Sequence, residues 1–127
     1  MRKIELLALV LTIILVPITQ DDIYLIGQVA TAEAGNQCIL GQRYVIDTIL
    51  NRVDRDKFPD NVYDVVNSPN QYTKARPKPS DDMLKIVQEE VEDRLNSDVV
   101  FFQRAGYFDG TEPVTKIQDH YFSGLLE

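Results

Sequence analysis

The sequence predicts a small, mostly helical α+β domain that closes with a late β-hairpin. Two stretches, Ile23–Ala34 and Gly41–Arg55, repeat their apolar residues at helical spacing. A third helical pattern opens at Ser80, and from Val99 onward the pattern changes to short apolar runs around a turn-rich Gly106–Pro113. At 127 residues the chain has the length of one domain.

The first segment, MRKIELLALVLTIILVPITQ, carries Arg2 and Lys3, then an apolar run from Leu6 to Val16 closed by Pro17. A membrane span needs about 20 such residues, whereas the apolar part of a secretory leader needs about 7–15. Residues 1–20 are therefore expected to be a signal peptide or an uncleaved membrane anchor, with an exported domain over residues 21–127. Cleavage is expected between Ile18 and Asp22.

Asp21 and Asp22 read as the N-cap of the first helix, Ile23–Ala34, which Gly35 and Asn36 should end by taking the left-handed conformation. In the second helix Val45, Ile46, Ile49, Leu50 and Val53 form the core stripe, and Tyr44, Asp47, Thr48 and Asn51 form the other flank. A turn at Pro59-Asp60-Asn61 precedes a short helix around Val62–Val66, and Lys74–Ser80, with two prolines, is a loop. Ser80 caps the next helix, with Asp81 and Asp82 placed to meet its positive end. Met83, Leu84, Val87, Val91 and Leu95 line its inner face, and Asn96-Ser97 ends it. VVFFQ, Val99–Gln103, is a strand; VTKIQDHYF should return as its hairpin partner.

Charge and cysteine content exclude several function classes. Thirteen Lys and Arg stand against 20 Asp and Glu, a net charge of −7, so no basic stripe is expected to meet nucleic-acid phosphates. Cys38 is the single cysteine, which rules out an intrachain disulfide and reads as a small buried hydrophobe. With one cysteine and one histidine, His120, a zinc site falls short of its usual ligands, and no metal or cofactor is expected.

One residue breaks the pattern of the first helix. Counting back from Glu33 in helical steps reaches Ala30, Val29 and Ile26, so a carboxylate stands on the apolar stripe. A glutamate half-buried at the end of a helix has two reasons to hold its proton, desolvation and the negative end of the helix dipole. Both suit a general acid. The plainer alternative is a surface glutamate in a frayed last turn.

The order of the short motifs bears on that choice. AEAGNQ, GQRYVIDTILNRV, FPDNVYDVV, QYT, FF and DHYF follow one another from about Ile26 to Phe122. In that order they resemble the SleB-like cell-wall hydrolases, the spore-cortex-lytic family. The resemblance implies a lysozyme-like or resuscitation-factor-like domain that cuts the glycan strand of peptidoglycan, with Glu33 as the catalytic acid. It departs from the family where a second glutamate often follows the glycine, since Gln37 and Cys38 stand there.

Members of the family look like lytic transglycosylases, though some carry the label amidase. Such an enzyme can work with one acid, because the muramic acid's own hydroxyl replaces water. A hydrolysing muramidase needs two carboxylates, and Asp47 is then the candidate for the second. A non-catalytic peptidoglycan-binding module is the remaining alternative. For substrate contacts the candidates are Gln71 and Tyr72, on a loop, with Asn51 and His120. Tyr72, between polar neighbours, reads as a cleft aromatic whose loss should weaken glycan binding and leave the melting temperature nearly unchanged. The expected partners are peptidoglycan glycan strands, no nucleic acid, and a membrane only through residues 1–20; the domain is expected to be a monomer.

Overall fold

The structure, a computed structural model, describes residues 17–127. Residues 1–16, which carry most of the expected leader, lie outside the described residues. Four helices and three strands follow in order: α1 Gln20–Ala34, α2 Ile39–Val53, α3 Val62–Val66, α4 Asp81–Glu92, β1 Val99–Gln103, β2 Thr111–Ile117 and β3 His120–Leu125. The mostly helical α+β class is as expected. Among the described residues no helix is long and apolar enough to cross a membrane.

α1 begins three residues before its expected start. Thr19 is the N-cap: its hydroxyl accepts from the Asp22 N–H at 3.1 Å, and the Asp22 carboxylate accepts from the Thr19 N–H at 3.0 Å. This capping box satisfies two main-chain donors at once and fixes the helix entry. The boundary drawn at residue 20 therefore falls at the first turn of a helix. At the other end Gly35 keeps right-handed angles, φ −60°, and does not take the left-handed form. Its missing Cβ matters for another reason: a side chain there would stand 2.5 Å from the Thr31 carbonyl oxygen.

α2 is the central element, packed by α1, α3, α4 and β1. Both its apolar stripe and the flank carrying Asp47, Thr48 and Asn51 are buried, because a neighbour covers each side. Its N-cap is Cys38, which is exposed, not a buried hydrophobe; its N–H is taken by the Gln118 side chain. The main core joins α1, α2, α3 and α4 through residues such as Ile26, Val29, Ile46, Ile49, Val65 and Val87. A second cluster, Ala34, Val45, Val99, Ile117 and Phe122, seats the sheet on the helices, and Phe102 packs against both.

α4 starts as expected, with the Ser80 hydroxyl accepting from the Met83 N–H at 3.0 Å, but stops at Glu92. Leu95 is 54% exposed and does not belong to the inner face. The chain is drawn off helical geometry by side chains that capture its main-chain groups. Glu90 accepts from the Leu95 N–H at 3.1 Å, Asp47 accepts from the Asn96 N–H at 3.0 Å, and Asn51 donates to the Asn96 carbonyl at 2.9 Å.

The sheet differs from the single hairpin expected. VTKIQDHYF does not run as one strand: it folds on itself at Gln118-Asp119, with Gln118 at φ 48°, and makes β2 and β3. β1 then pairs antiparallel with β3, giving the order β1-β3-β2. The turn is fixed from outside. The Gln37 amide donates to the Asp119 carboxylate at 2.9 Å and accepts from the Asp119 N–H at 3.2 Å, and Arg104 pairs with Asp119 at 3.0 Å. Pro113, which offers no N–H, sits on the edge strand β2, where that loss is tolerated.

Candidate active site

Glu33 occupies the last turn of α1, half-buried, and its Oε2 accepts the main-chain N–H of Thr73 at 2.6 Å. The donor belongs to the loop between α3 and α4, which is itself tied down. Arg76 donates to the Thr73 carbonyl at 2.8 Å and to the Asn67 side chain at 3.2 Å, and Gln28 on α1 donates to the Arg76 carbonyl at 3.1 Å. A helix end and a stapled loop thus hold one carboxylate in a single orientation, which is what proton transfer to a bound oxygen requires.

Tyr72 adjoins Glu33 but not as a free stacking face. It is 5% exposed, belongs to the main core, and shares a hydrogen bond of 2.9 Å with the Thr48 hydroxyl. Its neighbours Gln71 and Thr73 are exposed and half-buried respectively, while the ring between them turns inward. Burial pushes the Tyr72 phenol up, with the nearby Glu33 charge adding to the effect; Arg52 and the Thr48 hydroxyl oppose it.

The other candidates divide. Gln71 is exposed and lines a cleft of about 320 Å³ together with Arg52, Phe101, Phe102 and Phe108. His120 is 3% exposed, packed edge-on to Phe102 with centroids 5.0 Å apart, and its Nδ1 is buried without a hydrogen-bond partner. Burial, then Arg104, holds its pKa below the usual histidine value against the pull of Asp119. This is a packed ring beneath the site and not the hydrogen-bonding group expected there. Asn51 is fully buried and serves as a staple, donating to the carbonyls of Asn96 and Val99 and accepting from Arg94. It has no side-chain atom left for a sugar.

Asp47 is also fully buried, and its partners come from α4 and the segment after it. Sealed there, it can neither activate a water nor flank a bond held at Glu33, so its reading as a second carboxylate is withdrawn. Burial first, then the Glu90 carboxylate beside it, pushes its pKa up to about 9; the Asn96 N–H and Arg94 act the other way. An aspartate in water, as in an unfolded chain, titrates near 3.8. The folded chain therefore holds a proton between these values that the unfolded chain lacks, and stability falls as pH rises through that window. The Asp47→Asn variant keeps the acceptor for the Asn96 N–H and needs no proton. It is expected to gain about 1 kcal/mol or more over wild type at pH 8 relative to pH 5 in urea unfolding. An equal difference between variant and wild type at both pH values would contradict this.

Arg52, near the end of α2, also belongs to this region. The sequence carries a signal of it: Val45, Ile49 and Arg52 stand at i, i+4 and i+7, so a basic residue lies on the core stripe just as Glu33 does on its own. Arg52 is 4% exposed and borders the cleft that Gln71 lines.

A half-buried glutamate at a helix end, anchored by the neighbouring loop, marks this face of the α+β domain as a candidate active site. The chain belongs to the cell wall hydrolase family, whose model, Cell Wall Hydrolase, matches residues 36–123. Glu33 lies just outside that span. Two solved structures are similar to it. The catalytic domain of the Bacillus cereus SleB protein has a TM-score of 0.74 and 23% identity, covering 83% of this chain and 91% of its own. The catalytic domain of the germination-specific lytic transglycosylase SleB from Bacillus anthracis has a TM-score of 0.71, also at 23% identity, covering 83% and 95%. At that identity the likeness establishes the fold. No curated protein matches the chain.

Proposed function

We propose that this member of the cell wall hydrolase family cleaves the glycan strand of peptidoglycan as a lytic transglycosylase, with Glu33 as its single acid and base. The observation that carries the reading is the pairing of one oriented carboxylate, Glu33 on the Thr73 N–H, with the enclosure of Asp47, the carboxylate that a two-acid mechanism would have called on. Glu33 gives its proton to the glycosidic oxygen as the bond to the muramic acid C1 breaks. It then takes the proton from the C6 hydroxyl of the same sugar as that oxygen bonds to C1. The acid is regenerated and no water is consumed. The name of the Bacillus anthracis neighbour, a lytic transglycosylase, supports the same class.

Mass analysis of fragments released from purified peptidoglycan tests the mechanism. The expected product ends are 1,6-anhydromuramic, lighter by one water than reducing ends; reducing ends would assign the attack to water. A substrate in the wall places the domain outside the cytoplasmic membrane, and the basic pair and apolar run of residues 1–20 support export by a leader or anchor. Because Thr19 caps α1 and Ile18 packs against the core, a leader cut after Asp22 would remove part of the folded domain, so a cut before Ile18 fits better.

A further inference from the structure

Arg52 is the most enclosed of the arginines among the described residues, at 4% exposure, and like the more open Arg55 and Arg76 it meets no carboxylate there. Arg43, Arg94 and Arg104 each meet a carboxylate, while no carboxylate among the described residues lies within ion-pair distance of Arg52. Its Nε donates to the Val100 carbonyl at 2.7 Å. The guanidinium carbon stands 5.0 Å from the ring centre of Phe58, 5.1 Å from that of Tyr72 and 5.3 Å from that of Phe101. Three aromatic faces partly offset the removal of this cation from water, but they supply no acceptor for its N–H groups. The two terminal nitrogens make no hydrogen bond among the described residues, and neither is sealed from the surface. The Arg52 side chain borders the cleft of about 320 Å³.

We propose that this cleft is a subsite for a carboxylate carried by a muramic acid residue of the glycan strand, bound by the free fork of Arg52. The proposal rests on the reading of the protein as a peptidoglycan-cleaving enzyme. A planar fork of N–H donors fits a carboxylate with two parallel hydrogen bonds, and the rings of Phe101 and Phe108 beside it suit the apolar face of a sugar. Its place fits as well. Gln71 lines the cleft and Thr73, two residues on, holds Glu33, so the two loop positions are at most about 7 Å apart. Asp109 is the one carboxylate in the lining; it is exposed and not paired with Arg52. In a chain of net charge −7, an unpaired and enclosed cation is the feature that draws an acidic group to this spot.

The test uses the Glu33→Gln chain, which holds substrate without turning it over, and soluble glycan fragments with carboxylates either intact or amidated. Titration calorimetry is expected to show about 10-fold weaker binding of the amidated fragments, the effect of losing one charge-assisted pair. Adding Arg52→Gln should give equal, weak binding of both forms, with a cooperative melting transition showing that the chain is folded. Arg52→Lys, which keeps the charge without the fork, should show a reduced preference and covers the case in which Arg52→Gln does not fold. Fragments with and without stem peptides locate the group, because the lactyl carboxyl is free only where no peptide is joined to it: a preference seen in the stripped fragments alone assigns the lactyl carboxylate of the sugar, and one seen in the peptide-bearing fragments alone assigns a carboxylate of the peptide. Equal binding of intact and amidated fragments before Arg52 is changed, or an undiminished preference in the Arg52 variants, would overturn the proposal. If the preference is present but the wild-type chain releases no glycan ends from peptidoglycan, the subsite stands and the enzymatic reading fails.

Discussion

Glu33→Gln is expected to lower the rate of glycan release from purified peptidoglycan by about 10²-fold or more, the range general acid–base groups contribute. The substitution keeps the shape of the side chain. Its amide oxygen can still accept the Thr73 N–H that the carboxylate accepts at 2.6 Å, so the loop between α3 and α4 stays anchored and the melting temperature should hardly move. On the proposed mechanism, what is lost is the proton given to the leaving oxygen and the base that then takes a proton from the C6 hydroxyl. Turnover assays at matched, folded protein concentrations check this. A variant with full activity would remove Glu33 from the chemistry.

Tyr72→Ala is expected to cost about 3–5 kcal/mol of stability, the range for deleting a buried aromatic. The ring fills the space between α2, the loop and β1: it lies 6.0 Å from the Phe102 ring and 5.1 Å from the Arg52 guanidinium carbon, and its hydroxyl meets Thr48 at 2.9 Å. Activity should fall with stability, because the Thr73 N–H that orients Glu33 is carried on the next residue. Tyr72→Phe separates the two contributions. It removes only the hydroxyl, and Thr48 still donates to the Val45 carbonyl, so a loss near 1 kcal/mol is expected. Denaturant unfolding of the two variants decides the matter; a Tyr72→Ala chain as stable as wild type would return the ring to the surface.

The helices were legible because their evidence is local. Apolar spacing and the cap at Ser80 are written within a few residues of where they act, and α1, α2, α3 and the start of α4 lie close to their expected places. The misreadings share a different cause: the deciding partner is far along the chain. α4 stops early because Asp47 and Asn51, on α2, capture Asn96. VTKIQDHYF turns at Gln118-Asp119, which is not a strong turn pair, because Gln37 and Arg104 grip Asp119. Asn51 and Asp47 look like an exposed flank until α4 and β1 cover them. Within the site, Glu33 was legible as a charge on an apolar stripe, and Arg52 carried the same mark. Tyr72 was not legible, since polar sequence neighbours say nothing about which way a loop residue turns.

The strand order β1-β3-β2 has a consequence for how the domain is assembled as it emerges from its N-terminus onward. β1 and β2 never touch in the ladder; each is paired only with β3, the last of the three to appear. The other three helices can gather around α2 while the chain is still emerging, but β1, although present, has no strand to pair with until His120–Leu125 arrives. β3 also brings Phe122, a member of the cluster that seats the sheet on the helices, and His120 beneath the site. The sheet and the aromatic packing around His120 are therefore completed in one late step, and a chain interrupted before that step has α1 with its Glu33 but not the sheet that packs against the helices.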